Sequence, residues 1–130
     1  MMLTQLIQNL PIREVMGGSL KDVRILGVTH DSRKVEPGFL FVAIPGARSD
    51  GHSFISEAVQ KGAAALIISE EKVALSKKVP FLLVDNPRKI LSQVAARFFK
   101  DPSLHMTVVG ITGTNGKTTL TYLLESIFLE

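Results

Sequence analysis

The chain contains no cysteine. Disulfides, thiolate nucleophiles and zinc–thiolate centres are therefore excluded, and a reducing cytosol suits the sequence. Long apolar runs are also missing, and none approaches the roughly 18 residues of a membrane-spanning helix. The opening Met1-Met2-Leu3-Thr4-Gln5-Leu6-Ile7-Gln8 lacks the basic start and apolar core of a secretory signal. A soluble cytoplasmic protein is expected, with no membrane partner. Basic charge is present but unclustered: 15 Lys and Arg face 12 Asp and Glu, net +3, and the only adjacent lysines are Lys77-Lys78. A nucleic-acid binder would gather such charges into a stripe, so no nucleic-acid partner is expected, although the excess suits an anionic small molecule. The three histidines, His30, His52 and His105, are too far apart for metal-ligand spacing. Internal repeats and low-complexity segments are absent.

What is present is core-forming material. The 130 residues are 45% apolar and 21% charged, which excludes overall disorder and gives about one domain by length. Apolar residues at 3, 6, 7 and 10 have helical spacing. Residues 24–28 and 39–44 read as strands around the polar turn His30-Asp31-Ser32-Arg33, closed by Pro37-Gly38. A short helix is predicted over 53–61 and strands over 64–68 and 80–84. Asn86-Pro87 is a helix start, since Asn can cap and Pro at the first position loses no needed N–H. That helix should run to about Phe99 and end at Asp101-Pro102-Ser103, the expected domain boundary after residue 103. The phenylalanines and Met106 are read as core, Pro37-Gly38 and Gly46 as structural turns, and His105 as opening a strand.

Beyond the boundary, residues 105–112 are apolar and β-branched, like a strand covered on both faces. A glycine loop and a helix from Lys117 follow. One strand–loop–helix unit cannot cover its own apolar faces, so 104–130 reads as the start of a second domain in a longer protein. Docking of that unit on the first sheet is the other possibility. In Gly110-Ile-Thr-Gly113-Thr114-Asn115-Gly116-Lys117-Thr118-Thr119, the glycines let successive N–H groups face phosphates and the following helix adds its dipole. Lys117 can reach the terminal phosphates and the Thr118 hydroxyl can ligate Mg²⁺. Where the common G-x-x-x-x-G-K-[ST] pattern has its first glycine, this chain has Ile111, with Gly110 one residue earlier. The bland alternative is a plain glycine turn.

The loop resembles the ATP loop of the Mur ligase family, ATP-dependent amide-forming enzymes of peptidoglycan synthesis. So does the stretch Thr29-His30-Asp31-Ser32-Arg33-Lys34-Val35-Glu36-Pro37-Gly38-Phe39 to Gly46, continued by Asp50-Gly51-His52-Ser53-Phe54-Ile55 and Gly62-Ala63-Ala64-Ala65. The resemblance runs from about Val23 to Glu130. It implies a Rossmann-like α/β domain over 1–103 that binds the UDP-sugar end of the substrate, and the first strand, phosphate loop and helix of a central ATPase domain over 104–130. ATP and Mg²⁺ are the implied cofactors. Gly113, Thr114, Asn115, Gly116, Lys117, Thr118 and Thr119 would hold ATP, with Lys117 and Thr118 catalytic and Thr118 on the metal. His30, Ser32, Ala47, Arg48 and Ser49 are the matching UDP-sugar positions. The bland reading of Asp31-Ser32-Arg33 is a turn in which Asp caps its own backbone.

Within the family, the loop and Phe98-Phe99-Lys100-Asp101-Pro102-Ser103 resemble the member that adds meso-diaminopimelate or L-lysine to UDP-N-acetylmuramoyl-L-alanyl-D-glutamate. Its implied partners are that UDP-muramoyl dipeptide and a diamino acid, acting on a monomer. The D-alanyl-D-alanine-adding member is the alternative. A small kinase or GTPase would leave the 29–46 stretch unexplained, and a stand-alone UDP-sugar-binding module would leave the loop without its domain. The 130 residues alone are expected to be inactive.

Overall fold

The computed structural model describes residues 1–46, 50–70 and 79–129. Its nine main elements are α1 (Leu3–Leu6), β1 (Ile12–Gly17), β2 (Gly27–Thr29), β3 (Phe39–Val42), α2 (Ile55–Gln60), β4 (Ala65–Ile68), β5 (Pro80–Val84), α3 (Pro87–Phe98) and α4 (Lys117–Phe128). Single 3-10 turns cover Ser32–Lys34, Gly51–Phe54 and Pro102–Leu104.

The five strands form one sheet in the order β1-β5-β4-β3-β2. Strands β2 to β5 are parallel, with Leu40 beside Ala65 and Leu66 beside Phe81, while β1 closes the edge antiparallel to β5. Because successive side chains alternate faces, the apolar strand runs supply two cores at once. Leu40, Val42, Ala65, Ile67, Leu82 and Val84 pack under α1 and α3, with Leu3, Leu6, Ile90 and Val94. Phe41, Ala43, Leu66, Ile68, Phe81 and Leu83 face α2 and its flanking turns, with Val35, Ile55 and Ala58. Burial on both faces explains why β3, β4 and β5 lack polar alternation.

Helix α3 starts as expected: Asn86 Oδ1 accepts from the Lys89 N–H at 3.0 Å, with Pro87 in the first turn. It ends without glycine. Lys100 and Asp101 take left-handed backbone (φ +61° and +50°), and the Asp101 N–H donates to the Ala96 carbonyl at 2.7 Å.

The structure departs from expectation at several points. Helix α1 is a single turn, and the residues at 7 and 10 are buried from the turn that follows it. Strand β2 begins at Gly27 rather than Arg24, because Arg24 bridges Met2 and the Ile25 N–H donates to the Met1 carbonyl. Strand β1 was not foreseen, since it is an edge strand carrying Arg13 and Glu14 with an irregular register at Ile12–Glu14. Residues 105–112 form no strand: among the described residues no chain lies alongside to complete a ladder, and Val108 and Val109 are exposed. Phe54, Phe99, Met106 and Phe128 are likewise exposed rather than core. The helix after the loop does form, but Leu120, Leu123, Ile127 and Phe128 on it are exposed. None of the described helices is long and apolar enough to cross a membrane.

Candidate functional site

Ligands of parallel α/β sheets bind outside the carboxyl ends of the strands. Here the ends of β2 and β3, the 51–54 turn, α2 and the first turn of α3 surround a cleft of about 610 Å³. His30, Asp31, Ser32 and Arg33 line it from the β2 end, Ile44 and Gly46 from beyond β3, and Gly51, Phe54, Glu57 and Arg88 from the remaining walls.

The Asp31-Ser32-Arg33 turn is held by its own polar groups. Asp31 caps it, accepting from the Arg33 N–H at 3.1 Å, and the Arg33 guanidinium grips the same carboxylate at 2.9 and 2.7 Å. The Asp31 N–H in turn donates to the Thr29 hydroxyl at 3.1 Å. The bidentate pair, first of all its side-chain bonds, holds the Asp31 carboxyl well below the ordinary carboxylate value. A depressed folded value stabilises the fold above the unfolded value and loses that contribution as pH falls through the folded one. The expected result is a Tm difference between the native chain and Asp31→Asn that is constant from pH 5 to 7 and shrinks only below about pH 4. Thermal melts across that range check it.

So the capping reading of Asp31 holds, and Arg33 is committed to Asp31. Ser32 is 7% exposed and its carbonyl accepts from Lys61 Nζ at 2.9 Å. Lys61 also pairs with Glu57 at 2.7 Å. That bond, followed by one from the Ser32 side chain, lowers the Glu57 carboxyl. His30 is exposed at the cleft. Of the expected UDP-sugar positions, the structure thus brings His30 and Ser32 together in one cleft, while Ala47, Arg48 and Ser49 lie outside the described residues.

His52 is buried and ties the cleft rim to the sheet. Its Nδ1 lies 2.7 Å from Asp50 Oδ1, and its Nε2 accepts from the Ser69 N–H at 3.1 Å. A backbone N–H can only donate, so Nε2 carries no proton and Nδ1 donates to Asp50. Asp50 is lowered by the His52 backbone N–H and then by the His52 ring. Glu70 stands near enough to join Asp50 and His52 as metal ligands. Both ring nitrogens are already engaged, which leaves no lone pair for an ion. Gly51 permits this packing: a Cβ there would sit 2.6 Å from the backbone N of Ile44.

The sequence carries no local signal for Ile44, Gly51, Glu57 and Arg88 as cleft walls, and Phe54, expected in the core, and Gly46, expected as a structural turn, stand there with them. These residues belong to separate elements that meet only at the strand ends.

The glycine loop does not line this cleft. Gly113 (φ +152°) and Gly116 (φ +76°) adopt backbone that L side chains avoid, and a Cβ at Gly116 would meet open space. Lys117, first residue of α4, donates from Nζ to the Gly113 and Thr114 carbonyls at 2.6 and 3.3 Å. Gly116 offers no capping side chain, so the first-turn N–H groups, those of Lys117, Thr118 and Thr119, have no side-chain acceptor. Thr114, Asn115, Thr118 and Thr119 are all exposed.

A family model for the catalytic domain of the Mur ligase family matches residues 24–99, and the chain belongs to that family. More particularly, it is 49% identical over 107 residues to the UDP-N-acetylmuramoyl-L-alanyl-D-glutamate–2,6-diaminopimelate ligase of Aquifex aeolicus, covering 82% of this chain and 22% of the relative. It is 45% identical over 127 residues to the ligase of that name from Clostridioides difficile, covering 98% of this chain and 25% of the relative. The chain thus spans about a quarter of the length of these curated relatives. Among solved structures, it matches the MurF ligase of Thermotoga maritima in complex with ADP at 36% identity and TM-score 0.56, over 76% of this chain and 22% of that one. A MurF from Acinetobacter baumannii matches at 31% identity and TM-score 0.60, over 80% and 22%.

Proposed function

We propose that the chain is the UDP-sugar-binding part, with the opening of the ATP-binding domain, of the cytoplasmic ligase that adds diaminopimelate to UDP-N-acetylmuramoyl-L-alanyl-D-glutamate. The carrying observation is the 45% identity over 127 residues to a ligase of that name, a span that includes both the cleft and the glycine loop. Residues 1–103 are assigned to the sugar-nucleotide domain, Rossmann-like in its parallel strands and flanking helices, and 104–130 to the ATP-binding domain. His30, Ser32 and the 47–49 loop are the assigned UDP-sugar contacts, and Gly113 to Thr119 the ATP contacts.

In the proposed reaction the D-glutamate γ-carboxylate takes the terminal phosphoryl group of ATP. The amine of the diamino acid then attacks the acyl phosphate, forming the amide as inorganic phosphate leaves. The loop fits the phosphates: positive-φ glycines, uncapped N–H groups at the start of α4, and the Lys117 ammonium all converge there. Thr118 would contribute a hydroxyl to Mg²⁺, whose chemistry is to neutralise charge on the transferring group. Lys117 and the loop N–H groups position the phosphoryl chain.

Two measurements test this reading. The native protein recovered from its source cells should have a mass several times 14.2 kDa. That whole protein should release ADP with the UDP-muramoyl dipeptide and diaminopimelate, whereas the 130 residues alone should release none. ADP release only with a UDP-muramoyl tripeptide and D-alanyl-D-alanine would replace it with the alternative ligase.

A further inference from the structure

We propose that Arg88 is the residue that positions the diphosphate of a nucleoside-diphosphate sugar in the cleft. The inference rests on the reading of that cleft as the sugar-nucleotide site and names the group that holds its charged centre.

The first observation is the balance of charge around the walls. Asp31 is neutralised by the two-pronged grip of Arg33, and Glu57 by Lys61 at 2.7 Å. Arg88 is exposed, and among the described residues no carboxylate pairs with it. Asp85, three residues earlier, is drawn instead to Arg13 at 3.5 Å. Once the paired groups cancel, the cleft walls keep one uncompensated full charge among the described residues, and it is positive.

The second observation is where that charge stands. A smaller cavity of about 270 Å³ lies beside the cleft, over the ends of β3, β4 and β5, and is lined by Pro45, Ser69 and Asn86 among others. Ile44 and Arg88 line both cavities. A ligand occupying the two spaces together must therefore pass the Arg88 side chain. A nucleoside-diphosphate sugar has that pattern of charge next to its diphosphate: a neutral nucleoside on one side and a neutral sugar ring on the other, joined by an anionic centre. The guanidinium presents a planar fork that can bond two phosphate oxygens at once, which an ammonium cannot. Asn86 caps α3 and Pro87 begins it, so Arg88 projects from a fixed helical turn rather than from a loop.

The test is calorimetric titration of the whole native protein and its Arg88→Ala and Arg88→Lys variants with uridine and with UDP at one ionic strength. The native protein should bind UDP more tightly than uridine. Arg88→Ala should weaken UDP binding by about tenfold or more while leaving uridine binding unchanged. Arg88→Lys should recover only part of the loss, because it restores the charge without the fork. If UDP binds Arg88→Ala as it binds the native protein, the assignment of Arg88 is overturned and the cleft reading survives. If the native protein binds neither uridine nor UDP, the cleft reading fails and takes the Arg88 assignment with it.

Discussion

If the chain belongs to the ligase proposed above, replacing Lys117 by alanine is expected to lower the ligation rate of the whole protein by about a hundred- to a thousandfold, the usual cost of removing one preorganised group aimed at developing charge. The expectation rests on position. Lys117 is the first residue of α4, directly after the positive-φ Gly116, and its ammonium lies over the loop at 2.6 Å from the Gly113 carbonyl. A phosphate chain cradled by the loop N–H groups would take that ammonium from two neutral carbonyls to full negative charges, where a charge-assisted bond is roughly twice as strong. Arginine should not rescue the variant, since its longer planar fork does not fit where a compact point charge sits among backbone groups. Quenched-flow measurement of ADP formation separates the rate of phosphoryl transfer from product release, and an unchanged rate in Lys117→Ala would reduce the loop to a plain glycine turn. The fold should not suffer, because Lys117 is exposed and its bonds go to exposed loop carbonyls.

How much of this was legible in the sequence depended on whether the signal was local. Strands β3, β4 and β5 could be read because each is an unbroken apolar run, and α3 because Asn86-Pro87 states its own start. Strand β1 could not, because an edge strand need not be apolar: Arg13 and Glu14 point to solvent, and only its ladder with β5 makes it a strand. The 105–112 run shows the converse. Its β-branched pattern is that of a buried strand, but pattern alone supplies no partner for the backbone, and no ladder forms. The cleft divides in the same way. The Asp31 cap is made by a neighbour two residues away, whereas the carbonyl of buried Ser32 is met by Lys61, 29 residues on. Glu57 and Arg88 reach the same cleft only because α2 and α3 return to the strand ends. The tautomer of His52 was hidden for a related reason, since it is set by the N–H of Ser69, 17 residues away.

The same contrast between packed and unpacked residues sets the largest stability effect expected of a single substitution. Phe41 is fully buried in the core between the sheet and α2, beside Leu66 and Phe81. Truncation to alanine removes the ring from an apolar setting and leaves a space that β3, paired on both sides, cannot collapse to fill. The loss should be about 3–5 kcal/mol, a large part of the 5–15 kcal/mol typical of a whole domain. Phe128 is an equally large ring but 72% exposed on α4. With little contact to lose, Phe128→Ala should shift stability by under about 0.5 kcal/mol. Urea unfolding of both variants decides the matter: the midpoint should fall sharply for Phe41→Ala and stay put for Phe128→Ala, with the slope unchanged in each. A comparable loss at Phe128 would mean that α4 packs on the sheet in solution, and would overturn the proposed assignment of residues 104–130 to a separate ATP-binding domain.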